Sequence, residues 1–262
     1  MRSHSKITIF LVSALSLNLL FSPQAHSVSN GLIQLDNKWT VAITIEYGKK
    51  AQLCSGVLIQ PTTVMTAKHC VVSSKGQVYK NITINSPGSN YQFPLQKSME
   101  LRTVTKVIPS KLKSLYDVPD QGDVAFLKFK SPFSNYELPE IATKAQIDSL
   151  KPWSQIRGYG YGKTGDGVTH YSNLPVQYEL SWGNDDHAFT DNVVLIAGAS
   201  GIGCSGDSGG PITAFLDDNR EVLIGVAASL LSQGKNGCAT RTFNRLFYES
   251  FNLVYPYLNL IN

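Results

Sequence analysis

The chain has 262 residues, of which 42% are hydrophobic and 16% charged, a composition that excludes a disordered protein and fits one two-lobed domain or two small ones. The formal charge of +4 is mild and no Lys/Arg block occurs, which excludes a nucleic-acid footprint.

The first segment reads as a targeting sequence. Arg2 and Lys6 precede the apolar run "ITIFLVSALSLNLLF" and then "SPQAHS", the three regions of a signal peptide. The run is short against the roughly 20 residues of a membrane span, and the small, polar flank argues against the competing reading, a signal anchor. Ala25 and Ser27 place cleavage after Ser27, giving a leader over 1–27 and a mature chain over 28–262. The leader carries two basic residues and no acid, so its removal takes the charge from +4 to +2. The expectation is a secreted protein, extracellular or periplasmic, with no stable membrane association.

Short strands follow. "WTVAITIEY", "CSGVLI" and "TVMTA" are rich in Val, Ile and Leu and are separated by polar turns. "TAKHC" then sets His69 directly before Cys70. From Val71 to Lys97 there is no Asp or Glu, so no calcium loop is expected there, and neither a metal nor any other cofactor is predicted. "NIT" at Asn81 is a glycosylation sequon that matters only in a eukaryotic secretory pathway. "GDVAFLKFKSP" carries Asp123 at the head of a strand, and the stretch from Lys128 to Trp153 reads as a connector between lobes. "GYGYGKTG", "CSGDSGGP" and "VLIGVAAS" occupy the second half, and "YPYLNLIN" reads as a short final helix with Pro256 in its first turn. His170 and His187 sit in polar stretches and read as surface residues. Many short strands with polar turns predict an all-β barrel or sandwich.

Cys54, Cys70, Cys204 and Cys238 make an even count in an exported chain, which implies two disulfides; spacing alone allows three pairings. A zinc site is the competing reading, but no C-x-x-C or H-x-x-x-H partner is present.

"CSGDSGGP" carries the strongest chemical signal. A serine hydroxyl is a weak nucleophile and needs a base, and the oxyanion formed on attack needs donors. Glycines around Ser208 permit a sharp turn that aims the N–H groups of Gly206 and Ser208 at one point. The stretch resembles the nucleophile motif of the chymotrypsin-like (trypsin-fold) serine proteases. "TAKHC" is similar to that family's histidine motif, with Lys68 where a second alanine is usual, and "GDVAFLKFKSP" is similar to its aspartate motif. The chain order His69, Asp123, Ser208 is the one the family requires; an α/β-hydrolase would place serine first.

The resemblance covers nearly all of the mature chain. It implies two antiparallel six-stranded β-barrels, roughly 28–135 and 136–262, with a short C-terminal helix and the triad in the cleft between the lobes. It also implies disulfides Cys54–Cys70 and Cys204–Cys238, and a freed N-terminal amine paired with the aspartate before the nucleophile. Here those partners are Val28, opening "VSNG", and Asp207. Three positions bear on specificity. Ile202, six residues before Ser208, stands where trypsin-type members keep an acid, which argues against selectivity for Arg or Lys. Leu230 and Leu246 fall where open-pocket members keep glycines, which favours small or medium aliphatic residues before the cut. Arg241 and Arg245 lie near enough in sequence to support a competing preference for acidic side chains. The functional expectation is a secreted, monomeric serine endopeptidase, with protein or peptide substrates and a protein inhibitor as partners. The competing class is a catalytically inactive homologue that serves as a binding module.

Overall fold

The computed structural model describes residues 32–34, 36–48, 50–111, 122–151, 154–163, 174–181, 188–190, 193–198, 203–230, 238 and 247–261. In chain order the elements begin with β1 (Leu32–Ile33), β2 (Thr40–Tyr47), β3 (Lys50–Gln60), β4 (Thr63–Thr66) and α1 (Lys68–Val71). There follow β5 (Asn81–Asn85), β6 (Leu101–Thr103), β7 (Lys106–Pro109), β8 (Ala125–Lys128), β9 (Glu140–Ile141) and α2 (Lys144–Asp148). The remainder is β10 (Gln155–Gly160), β11 (Val176–Ser181), β12 (Ala188–Thr190), β13 (Val193–Gly198), β14 (Pro211–Phe215), β15 (Glu221–Leu230), β16 (Phe247–Leu253) and a 3-10 helix over Tyr255–Leu260. The chain is mostly β, in two curled sheets.

The first sheet runs β6-β5-β2-β3-β4-β8-β7. Its two edges, β6 and β7, are halves of one bent strand, interrupted only at Val104 and Thr105. The bend carries the strand from one edge of the sheet to the other, so the seven pieces curl as a six-stranded barrel. The second sheet closes on itself: β11, β10, β14, β15, β16 and β13 pair in sequence, and Ser181 opposite Ala197 joins β13 back to β11. The two- and three-residue pieces β1, β9 and β12 are additions to that ring. Although β1 precedes the first sheet in sequence, it pairs with β11 of the second.

Alternation explains how each barrel fills. Along β2, Val41, Ile43 and Ile45 enter the first core with Leu58, Val64, Ile82, Ile84 and Leu127. The intervening Ala42 faces a separate cluster with Leu53, Tyr91 and Tyr161. The second core gathers Ile156, Tyr178, Ile212, Ile224 and Phe251. A third cluster spans the lobes, with Val57, Met65 and Phe126 from the first sheet against Leu223, Val226, Val254 and Tyr257 from the second half of the chain.

The connector contains one helix not foreseen from sequence. In α2, Thr143 caps the amide of Gln146 and the Gln146 side chain accepts from the Thr143 amide, a capping box that holds five residues helical. The C-terminal helix is a 3-10 turn, with Pro256 in its first turn.

Phe126 is fully buried at the junction of the lobes. Its replacement by alanine is expected to cost about 3–5 kcal/mol of stability, measured as a lowered urea midpoint.

Candidate active site

His69 and Asp123 are brought together by strand pairing. β4 ends at Thr66, opposite Ala125 of β8, so the residues just after β4 and just before β8 are neighbours. The His69 backbone N–H donates to Asp123 Oδ1 at 2.7 Å, and His69 Nδ1 lies 2.6 Å from Asp123 Oδ2. An ionised carboxylate only accepts, so the proton sits on Nδ1, and Nε2 of the neutral ring is the acceptor nitrogen. The Asp123 side chain is 9% exposed and that of His69 45%, so the carboxylate is shielded while the imidazole meets solvent.

The Asp123 turn is itself held. Gly122 adopts a positive φ of 77° and donates its N–H to Asn252 Oδ1 at 3.2 Å. Tyr257 donates to the same oxygen at 3.4 Å, and burial pushes its phenol up to about 12. Thus the end of β16 and the 3-10 helix fix the position from which Asp123 reaches His69.

Ser208 lies in the loop that leads from Cys204 into β14. Gly206 at φ 105° and Gly209 at φ 81° make the turns. Successive backbone groups are tied: Asp207 N–H to Cys204 O at 3.0 Å, Gly210 N–H to Asp207 O at 2.8 Å, and Gly209 N–H to Ala227 O at 2.7 Å. Among the described residues, the N–H groups of Gly206 and Ser208 donate to no protein acceptor. Those two donors are the ones an oxyanion would need. No hydrogen bond joins Ser208 Oγ to His69 among the described residues, a bond that is often long before substrate binds. Cys70 Sγ links the two neighbourhoods, 3.8 Å from His69 Nε2 and 3.7 Å from the Ser208 carbonyl oxygen.

The cysteines pair as Cys54–Cys70 and Cys204–Cys238. The first joins β3 to the histidine helix, and the second ties the nucleophile loop to the segment after β15. Ligand atoms of Cys54, His69 and Cys70 lie within 4.8 Å of one another, but sulfurs joined as a disulfide offer no thiolate to a metal.

Asp207 is 1% exposed. Its carboxylate accepts from Gly162 N–H at 2.7 Å and from Cys204 N–H at 2.8 Å. Burial nonetheless pushes it up to about 7, the two N–H groups only partly opposing that rise. Gly160 and Gly162 form its cradle, since a Cβ at either would land on the carboxylate. "GYGYG" is thus spaced for Asp207, a role that sequence reading did not assign. Ser55 and Asn252 were also missed as parts of the site.

A cavity of about 20 Å³ lies beside the nucleophile, lined by Gly203, Cys204, Asp207, Ser208, Ala227, Ala228 and Ser229. It has room for about one water-sized group. Val28, Ile202 and Leu246 lie outside the described residues, as do Arg241 and Arg245; Leu230 ends β15, and only its backbone is described.

Compared with models of protein families, residues 31–259 match the one described as Trypsin.

Among the described residues no cation meets the Asp207 carboxyl, so at about 7 it keeps a proton that the unfolded chain releases near pH 4. A raised folded-state value leaves stability highest below about pH 4 and erodes it as pH climbs to 7. Urea midpoints of the full-length chain are expected to fall relative to Asp207→Asn over that interval; a constant difference would refute the unpaired state.

Proposed function

The chain belongs to the trypsin family of serine proteases, and from that premise we propose that Ser208, His69 and Asp123 hydrolyse peptide bonds through an acyl-enzyme. The observation that carries this reading is the double attachment of His69 to Asp123, at ring and backbone together. His69 Nε2 takes the Ser208 proton as Oγ attacks the scissile carbonyl carbon. The same proton passes to the leaving amine, and water then repeats the sequence on the ester. Asp123 keeps the ring in the tautomer with Nδ1–H and stabilises its charged form. The N–H groups of Gly206 and Ser208 receive the oxyanion.

In this reading the signal peptide ends at Ser27 and export delivers Val28 as the new N-terminus. Its ammonium pairs with Asp207, and a buried carboxylate is costly until such a partner arrives. Two disulfides and a trypsin-family domain are typical of extracellular proteins. No helix among the described residues is long and apolar enough to cross a membrane.

For specificity we propose a preference for small or medium aliphatic residues before the cut. Ala227 and Ala228 beside Ser208 support that preference, together with Ile202 in place of an acid. One methylene more or less in such a pocket changes discrimination by about 1–3 kcal/mol, so selectivity is graded. The alternative is an inactive homologue that serves as a binding module.

Two experiments test these assignments. A fluorophosphonate probe is expected to label the matured wild type and not Ser208→Ala, while Asp123→Asn lowers kcat by roughly 10⁴-fold through the wrong tautomer. Failure to label the wild type would favour the binding module. A peptide library is expected to show cleavage after Ala and Val; efficient cleavage after Arg or Lys would sink the pocket argument.

A further inference from the structure

We propose that Ser55, on β3 of the first sheet, is the positioning residue for the oxyanion donors carried by the second. This rests on the protease reading above and extends it to a side chain outside the triad.

Ser55 is fully buried and grips the nucleophile loop at two points. Its N–H donates to the Ser208 carbonyl at 2.9 Å, and its Oγ donates to the Gly206 carbonyl at 2.8 Å. The Tyr161 N–H donates to the same Oγ at 2.9 Å. A hydroxyl has one proton, and Tyr161 N–H can only give. The Ser55 proton is therefore committed to Gly206. On the far side the Ser55 carbonyl accepts from Thr66 Oγ1 at 2.7 Å, so Ser55 is fixed in turn.

The consequence follows peptide by peptide. Between Gly206 and Ser208 three carbonyls are held: Gly206 by the Ser55 hydroxyl, Asp207 by the Gly210 amide and Ser208 by the Ser55 amide. A peptide plane fixed at its carbonyl also fixes its N–H. The Asp207–Ser208 plane, held at the Asp207 carbonyl, carries the Ser208 donor. The Gly206–Asp207 plane lies between the two donor groups, and the Ser55 hydroxyl grips its carbonyl. Without that hydroxyl the Gly206 carbonyl and the Tyr161 N–H are both left buried and unpaired, and the plane, held only by the Asp207 N–H to Cys204 O bond at 3.0 Å, shifts about that remaining tie. Gly206, at φ 105° and without a Cβ, adds no steric barrier to that shift. The N–H groups of Gly206 and Ser208 then cease to converge.

Ser55→Ala is expected to lower kcat about 10- to 100-fold, below the roughly 10²–10³ typical when an oxyanion donor is deleted, with KM changed less than about twofold. Affinity for a peptide aldehyde, whose adduct with Ser208 carries an oxyanion, is expected to fall by the same factor. Affinity for the matching peptide alcohol, which forms none, is expected to hold. Ser55→Thr keeps the hydroxyl and is expected to restore most of kcat. Thr44→Val deletes another buried hydroxyl of the first sheet, one that faces Tyr91, and is the stability control: it is expected to lower Tm without lowering kcat. Unchanged kcat in Ser55→Ala, equal losses for aldehyde and alcohol, or a kcat loss in Thr44→Val that tracks Tm in the same way would overturn the inference. Failure of the wild type to take a fluorophosphonate label would overturn the protease reading and this inference with it, whereas a labelled wild type matched by Ser55→Ala would remove Ser55 alone.

Discussion

The site depends on a join between two sheets. His69 and Asp123 stand beside β4 and β8 of the first, and Ser208 stands before β14 of the second. No single sheet contains the whole constellation, so its precision is that of the interface. The interface is correspondingly specific. Met65 and Phe126 pack against Leu223, Val226 and Tyr257, and Tyr161 crosses from the second lobe to donate its hydroxyl to the Ser89 carbonyl at 3.0 Å. Trp39 meets Tyr159 edge to face with ring centroids 6.4 Å apart. Apolar contact fixes distance, and the polar pins fix rotation; a cleft held by the first alone would slide.

Within that join the nucleophile loop is a place where backbone, not side chain, provides the chemistry. Most of its carbonyls and amides are spent on bonds within the protein, and among the described residues the N–H groups of Gly206 and Ser208 are not. The buried Asp207 carboxylate sits under this loop with two amides on it and a raised affinity for a proton. Ser55 holds the same loop from the side, through the Ser208 and Gly206 carbonyls.

Much of this was legible in sequence, for a physical reason. Each of the three side chains proposed for the chemistry needs a fixed local backbone, and that need confines them to short motifs around Ser208, His69 and Asp123. The barrels were legible through alternation, as in "TVAITI", where every second residue enters the first core. What escaped was whatever depends on partners far apart in the chain. Ser55 reads as one polar residue in a strand, and only the fold brings it against Gly206, 151 residues away. Gly160 and Gly162 read as a glycine-aromatic alternation, and their purpose is visible only once Asp207 lies against them. Helix α2 escaped because five residues are too few to show a period, and its capping box was the available signal.

The anchorage of the Asp123 turn carries a consequence for the growing polypeptide. Gly122 is held by Asn252, 130 residues later, so the turn that carries Asp123 lacks one of its supports when its own barrel is first made. Synthesis must run through the second barrel and its closing strand before that amide finds its partner. Long-range contacts of this kind form late. The order of translation therefore leaves the turn before Asp123 without this support until residue 252 has been made.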